Sequence, residues 1–268
     1  MKFLTSLTIA LALVATAFAQ TPSATEAQVS QELNEASRLY RLGKFAEAQA
    51  HSERALQLDP QNKTAPYFVA RTIHAQYRPG VVTPENELKA REAIVAYQGI
   101  LNRVPDDDEA YKAVAYLYGA LKDEALQRQW IMQRAGNVSF ANDKRAEAYV
   151  ALASKDWDCS FRITELPDNK ITNIKENKAE VRYRMPKERV DFESARECSN
   201  RGLELANMAI VLTPENESAW SYKTNILLEL EKLAEMSGEI QQKREFHRQY
   251  EDALKETTKL SKLSKPKL

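Results

Sequence analysis

The chain has 268 residues, about twice the usual size of one compact domain, and its 38 basic and 38 acidic side chains give a formal net charge of zero. That balance excludes the broad positive field of a nucleic-acid binder, so no nucleic-acid partner is expected. With 7 glycines and 10 prolines there is too little turn material for a sandwich, a barrel or a glycine-looped nucleotide fold; 28% charged and 43% hydrophobic residues suit helices with wet outer faces.

Residues 1–19 read as a signal peptide. Lys2 supplies a positive start, an apolar run spans Leu7 to Ala15, and Ala17-Phe18-Ala19 offers the small-x-small cleavage pattern. Cleavage is expected between Ala19 and Gln20, without a cysteine that would carry a lipid. The apolar run is shorter than the roughly 20 residues of a bilayer span, and no later stretch is apolar enough for a transmembrane segment. The expectation is a periplasmic or secreted protein. Residues 20–27 are read as a flexible N-terminal linker.

From about Gln28 the chain repeats itself. Ala48, Ala55, Leu56, Leu58 and Pro60 form one string. It returns as Ala93, Ile100, Leu101 and Pro105, with Arg103 in the second leucine slot, and again as Gly202, Ala209, Ile210, Leu212 and Pro214. The first small residue stands 12 positions before the proline in all three copies, and an alanine follows 5 positions after it: Ala65, Ala110 and Ala219. Small residues seven apart share one helical face and let a neighbouring helix approach. The leucines are expected to fill the seam, and the proline ends one helix while opening the next. A helix precedes the first copy from about Gln28 to Leu42, capped by Gly43, with Phe45 opening its partner. Helix, turn, helix, proline is a stacking unit.

The stretch Leu39 to Ala48, continuing to Ala55-Leu56-Gln57-Leu58-Asp59-Pro60, resembles a tetratricopeptide repeat, with glycine and an aromatic at the turn, alanines on the second helix and a closing Asp-Pro. The remaining copies are degenerate. The second carries an insertion near 78–86. The third, Asp108 to Ala135, lacks the closing proline, and the fourth, from Lys144, is interrupted at 164–186 before its second helix. The last pair breaks at Ser237-Gly238. The resemblance implies an all-α, right-handed helical solenoid over 28–254, with four to five irregular helix pairs and loop insertions, similar to secreted repeat proteins of Gram-negative bacteria. In the longer insertion Glu180 to Met185 alternates polar and apolar residues, which suits a strand-like segment, an extended loop or a disordered flap.

Cys159 and Cys198 are the only cysteines, and an oxidising compartment favours their pairing as a structural disulfide; a redox-active thiol lacks a Cys-x-x-Cys motif. His51, His74 and His247 are scattered without metal-ligand spacing, and no nucleophile elbow, metalloprotease helix, phosphate loop or calcium loop occurs. Acidic residues read as helix-surface charges. No enzyme, cofactor or metal is therefore expected. Three N-glycosylation patterns begin at Asn62, Asn137 and Asn216; two follow a terminating proline, where such residues serve as caps.

In the resembling family the first helix of each repeat lines a concave surface that meets a protein or peptide segment. The corresponding outward positions are Tyr40, Tyr67, Arg71, His74, Lys112, Tyr116, Trp157 and Asn225. Tyr67, Arg71 and His74 follow 4 and 3 apart on one stripe, tyrosine and arginine are favoured at interface hot spots, and Arg71 with Lys112 suits a carboxylate. The competing reading packs Tyr67, Tyr116 and Trp157 between helices. The function these residues suggest is a non-enzymatic binding scaffold. Two alternatives stand beside it: an envelope component self-associating as a homo-oligomer through its C-terminal helices, and a wall-modifying enzyme using the 164–186 insertion as a lid. Residues 255–268, with Lys255, Lys259, Lys262, Lys265 and Lys267 against Glu256, read as a basic tail, frayed in solution or touching an anionic surface.

Overall fold

The computed structural model describes residues 23–175 and 178–264. The leader and its cleavage position lie outside the described residues, as do Lys265 and Lys267. Among the described residues the chain forms ten α-helices and one two-stranded antiparallel hairpin, and it divides into two compact units between Pro105 and Asp106.

The first unit holds two helix pairs, α1 (Ala24–Arg41) with α2 (Phe45–Leu58) and α3 (Ala65–His74) with α4 (Pro84–Leu101). Helix α1 starts inside the stretch expected as a linker. Ser23 Oγ accepts from Glu26 N at 3.2 Å while Ser23 N donates to Glu26 Oε2 at 2.6 Å, a capping box that satisfies two end donors and so orders residues 23–27. At the other end Gly43 takes φ 74°; Gly43 N donates to Tyr40 O at 3.0 Å and Lys44 N to Leu39 O at 3.0 Å. These are the two bonds of a Schellman turn. The insertion before α4 is pinned by one buried side chain: Asn86 accepts from Arg78 N at 2.7 Å and donates to Arg78 O and Val81 O at 2.9 and 2.7 Å.

The second unit holds α5 (Asp108–Ala120) with α6 (Glu124–Gly136), α7 (Asn142–Thr164) with α8 (Arg189–Leu212), and α9 (Glu217–Ser237) with α10 (Ile240–Ser264). Among the described residues there are therefore five helix pairs. Between α7 and α8 the insertion folds as a hairpin, β1 (Lys170–Lys175) against β2 (Lys178–Tyr183), with Lys170 opposite Tyr183; of the three readings left open, the strand-like one is what forms. Helix α10 continues to Ser264, into the segment expected as a basic tail. Ion pairs Lys255–Asp252 and Lys259–Glu256, at 3.0 and 2.9 Å, lie one turn apart along it and support helix there.

Every small residue of the repeated string is buried: Ala48, Ala55, Ala93, Gly202 and Ala209, and likewise Ala65, Ala110 and Ala219 after the prolines. These are the points of closest helix approach, where any larger side chain would hold the backbones apart. The leucine slots are less uniform. Ile100 is buried, but Leu58 is 40% exposed and does not fill the seam assigned to it; Leu56, two residues earlier, packs on the α1–α3 cluster instead.

Candidate functional site

In the first unit α3 begins with Pro66 in its first turn and buries Ala65, Ala70, Thr72 and Ile73. Its other face presents Arg71, exposed, with Tyr67 and His74 half-buried on the same stripe. The expected row therefore exists. His74 leans on Tyr97 of α4, ring centroids 5.8 Å apart and planes perpendicular, with Nδ1 3.3 Å from the Tyr97 hydroxyl. Burial holds the imidazole below its ordinary value, which favours the neutral ring. Tyr40, at the end of α1, meets Phe45 edge-on at 5.2 Å and braces the turn around Gly43.

In the second unit Tyr116 is 50% exposed on α5. Lys112, one turn earlier, pairs with Glu147 of α7 at 3.3 Å between two well-exposed side chains, a bond worth little in water. Asn225 is half-buried on α9. Trp157 is half-buried and packs against the core: its ring lies 4.9 Å from Phe161 and 6.2 Å from Tyr222, beside the cluster of Leu152, Leu205, Ile226 and Leu230. An indole at a helix crossing removes more apolar area from water by turning inward. Arg71 and Lys112 fall in separate units, and Lys112 already has a carboxylate partner.

The expectation that acidic residues lie only on helix surfaces fails inside the second unit. Asp156 of α7 is 1% exposed. Arg128 of α6 reaches its two oxygens from Nη1 and Nη2 at 3.0 and 2.7 Å, and Arg201 of α8 donates to it from Nη2 at 2.7 Å and from Nε at 3.1 Å. A buried carboxylate needs such partners, and here two fork-shaped cations supply them. Two turns along α7, Thr164 donates to Glu229 of α9 at 2.5 Å. Glu229, also 1% exposed, pairs with Lys232 at 2.6 Å, and Lys232 reaches Glu165 at 2.7 Å. Glu165 in turn accepts from the Tyr183 hydroxyl at 3.0 Å and pairs with Lys170 at 2.8 Å, fastening the hairpin's foot to α7 and α9. Burial pushes the Glu165 carboxyl up, but hydrogen bonds from Lys170, Lys232 and Tyr183 outweigh it and hold the group at about 2.

A third cluster ties the ends of α5 and α6. The Arg134 guanidinium stacks 4.1 Å from the centre of the Tyr111 ring and binds Asp108. Tyr111 also stacks on Trp130 at 5.9 Å. Burial, partly opposed by the Arg134 charge, pushes the Tyr111 hydroxyl up to about 12.

Chemically these clusters read as fasteners. A carboxyl held near 2 is a weak proton acceptor at neutral pH, and Glu165 and Glu229 are taken up by neighbouring donors. Among the described residues no three His, Cys, Asp or Glu side chains gather as a metal would require. A sequence signal for the buried charge does exist. Asp156, Ser160 and Thr164 recur every 4 residues on α7, and all three are buried, a polar stripe on the face that meets α8 and α9. Cys159 and Cys198 form a disulfide joining α7 to α8, with their Cα atoms 6.1 Å apart.

No protein-family model matches the chain, and a search of curated proteins gives no match. Among solved structures, the chain is similar to MamA residues 41 to the end from Desulfovibrio magneticus RS-1, with 12% identity over 91% of this chain and 100% of that one, at a TM-score of 0.45. It is also similar to a TPR repeats protein from Bacteroides fragilis NCTC 9343, with 14% identity over 88% and 92% of the two chains, TM-score 0.40. A third is the TPR2AB domain of yeast Sti1, solved as a complex with pHSP90, with 14% identity over 85% and 98%, TM-score 0.33. All three scores lie below 0.5, so the tetratricopeptide-like assignment stands on the chain's own helix pairs, buried small residues and turn at Gly43.

Proposed function

We propose that the chain is a non-catalytic protein- or peptide-binding scaffold acting in the periplasm or outside the cell, and that its contact faces are the outward stripes of the first helices. The observation that carries this reading is the α3 row, where exposed Arg71 stands between half-buried Tyr67 and His74 on a helix whose opposite face is fully committed to the core. A flat aromatic beside a guanidinium is the residue pairing from which interface hot spots are built. Tyr116 on α5 supplies a second exposed aromatic in the other unit. The leader-like start and the two paired cysteines support the location.

The self-association reading meets an obstacle at α10. Its solvent side carries Arg248–Glu245, Lys255–Asp252 and Lys259–Glu256 pairs, so that its exposed Ile240, Leu254 and Leu263 stand among charges rather than as one apolar face. The lid-enzyme reading requires a reactive group beside the hairpin, where the acids are instead held by Lys170, Lys232, Tyr183 and Thr164.

Crosslinking the protein in envelope extract beside a Tyr67→Ala, Arg71→Ala variant tests the proposal. The expected result is a captured protein whose affinity for the variant falls at least about tenfold. Equal capture by both forms removes the α3 face from the account.

A further inference from the structure

The disulfide joins α7 to α8, but its two cysteines sit in different surroundings. Cys198 is 7% exposed, whereas Cys159 is only half-buried. Arg201, one turn along α8, donates from Nη2 to Cys198 Sγ at 3.5 Å. That guanidinium is fixed in place by Asp156, which holds both its Nε and Nη2 edges, and by Glu197 at 3.3 Å from Nη1. Beside the bond, Ser160 and Ser199, the residues that follow the two cysteines, bury hydroxyls without hydrogen-bond partners.

Thiol–disulfide exchange needs one reachable sulfur to receive the attack and one sulfur able to leave as thiolate, and a cation beside the second speeds its departure. Here the more exposed cysteine and the cation-supported sulfur lie at opposite ends of one bond. We infer that Cys159–Cys198 is a directional exchange site, at which an incoming thiol becomes joined to Cys159 while Cys198 departs toward Arg201. The co-reactant is a thiol, either a small one such as glutathione or a cysteine of a partner protein. Its thiolate sulfur bonds to Cys159 Sγ, the Sγ–Sγ bond breaks, and the electron pair leaves on Cys198 Sγ. Cys198 then takes up the proton that the attacking thiol lost, so one disulfide and one thiol are exchanged for another disulfide and thiol. With no third cysteine in the chain, the mixed disulfide persists until Cys198 returns or another thiol arrives. The product is a thiol-tagged form of the protein.

Glutathione is the probe for the test. The oxidised full chain is exposed to it, quenched with acid at early times and mapped by mass spectrometry while circular dichroism follows the helices. Glutathione is expected on Cys159 with Cys198 free, at a rate first order in glutathione and with helicity retained. Arg201→Gln is expected to slow the opening about three- to fivefold by making Cys198 a poorer leaving group, and Arg201→Lys to restore most of the rate. Glutathione found first on Cys198 overturns the inference. So does opening that is independent of glutathione concentration and matches the rate of global unfolding. The position of first attack is read in the unsubstituted chain, so the test survives any folding defect of the Arg201 variants.

Discussion

Neighbouring residues of one helix can have opposite fates. Asp156 and Trp157 are adjacent, and the sequence presents the indole as a contact residue and the acid as one surface charge among many. In the structure the acid lies deeper than the indole, because two guanidiniums repay its desolvation, while the indole gains apolar contact with Phe161 and Tyr222. His74 shows the same dependence on surroundings. Burial lowers its pKa below the ordinary 6.5, so just below that value the unfolded chain binds more protons than the native one at this position. Stability from His74 is thus present above the unfolded value and is lost as pH falls through it. Thermal unfolding between about pH 7.5 and about pH 5 is expected to show a shallower loss of stability in His74→Gln than in the unsubstituted chain. A variant as steep as the parent assigns the slope to other groups.

Elements are placed by the residues at their ends and by the closeness of their seams. Gly43 makes the α1–α2 turn with a positive φ, and Lys122 takes the corresponding place between α5 and α6 at φ 60°. The turn bonds are the same, Asp123 N to Tyr118 O at 2.9 Å and Lys122 N to Gly119 O at 3.0 Å, so the degenerate repeat keeps its geometry at the cost of a left-handed lysine. At the α7–α8 seam Gly202 leaves no room for a side chain: an added Cβ would stand 3.1 Å from both Asp156 Cβ and Ile226 Cδ1. Asp156 is tied on both sides by arginine and Ile226 is fully buried, so neither retreats freely. Gly202→Ala, although favourable for an isolated helix, is expected to lower the urea-unfolding free energy by about 1–2 kcal/mol. A gain in stability would show that the seam relaxes.

For the whole molecule, the division at Pro105 matters because the disulfide, the buried charges and the hairpin all lie in the second unit. Helix-repeat stacks are stabilised pair by pair through neighbouring contacts. Replacing both cysteines by serine releases a constraint between residues 39 apart in sequence. The expected cost is about 3–4 kcal/mol, confined to α5–α10. Amide exchange in the double variant should accelerate there and stay unchanged in α1–α4; uniform acceleration would mean that the chain unfolds as one body.

Much of this was legible in the sequence because it depends on contacts close along the chain. The repeated small residues, the prolines that follow them, Gly43, and the alternation that becomes β2 each encode a local backbone choice or a helical face, and five helix pairs follow from them. Of the candidate residues, Tyr67, Arg71, His74 and Tyr116 stand on outward stripes because helical spacing alone decides which of them share a face. The capping box that orders residues 23–27 is local too, a Ser-x-x-Glu signal at Ser23 and Glu26 that the linker reading missed, whereas the packing of Trp157, the engagement of Lys112 by Glu147 and the Asp156 cluster were decided only by tertiary structure. Each of those three side chains owes its role to partners on other helices, many residues away, and the free energy of a buried charge or ring depends on whether those partners arrive.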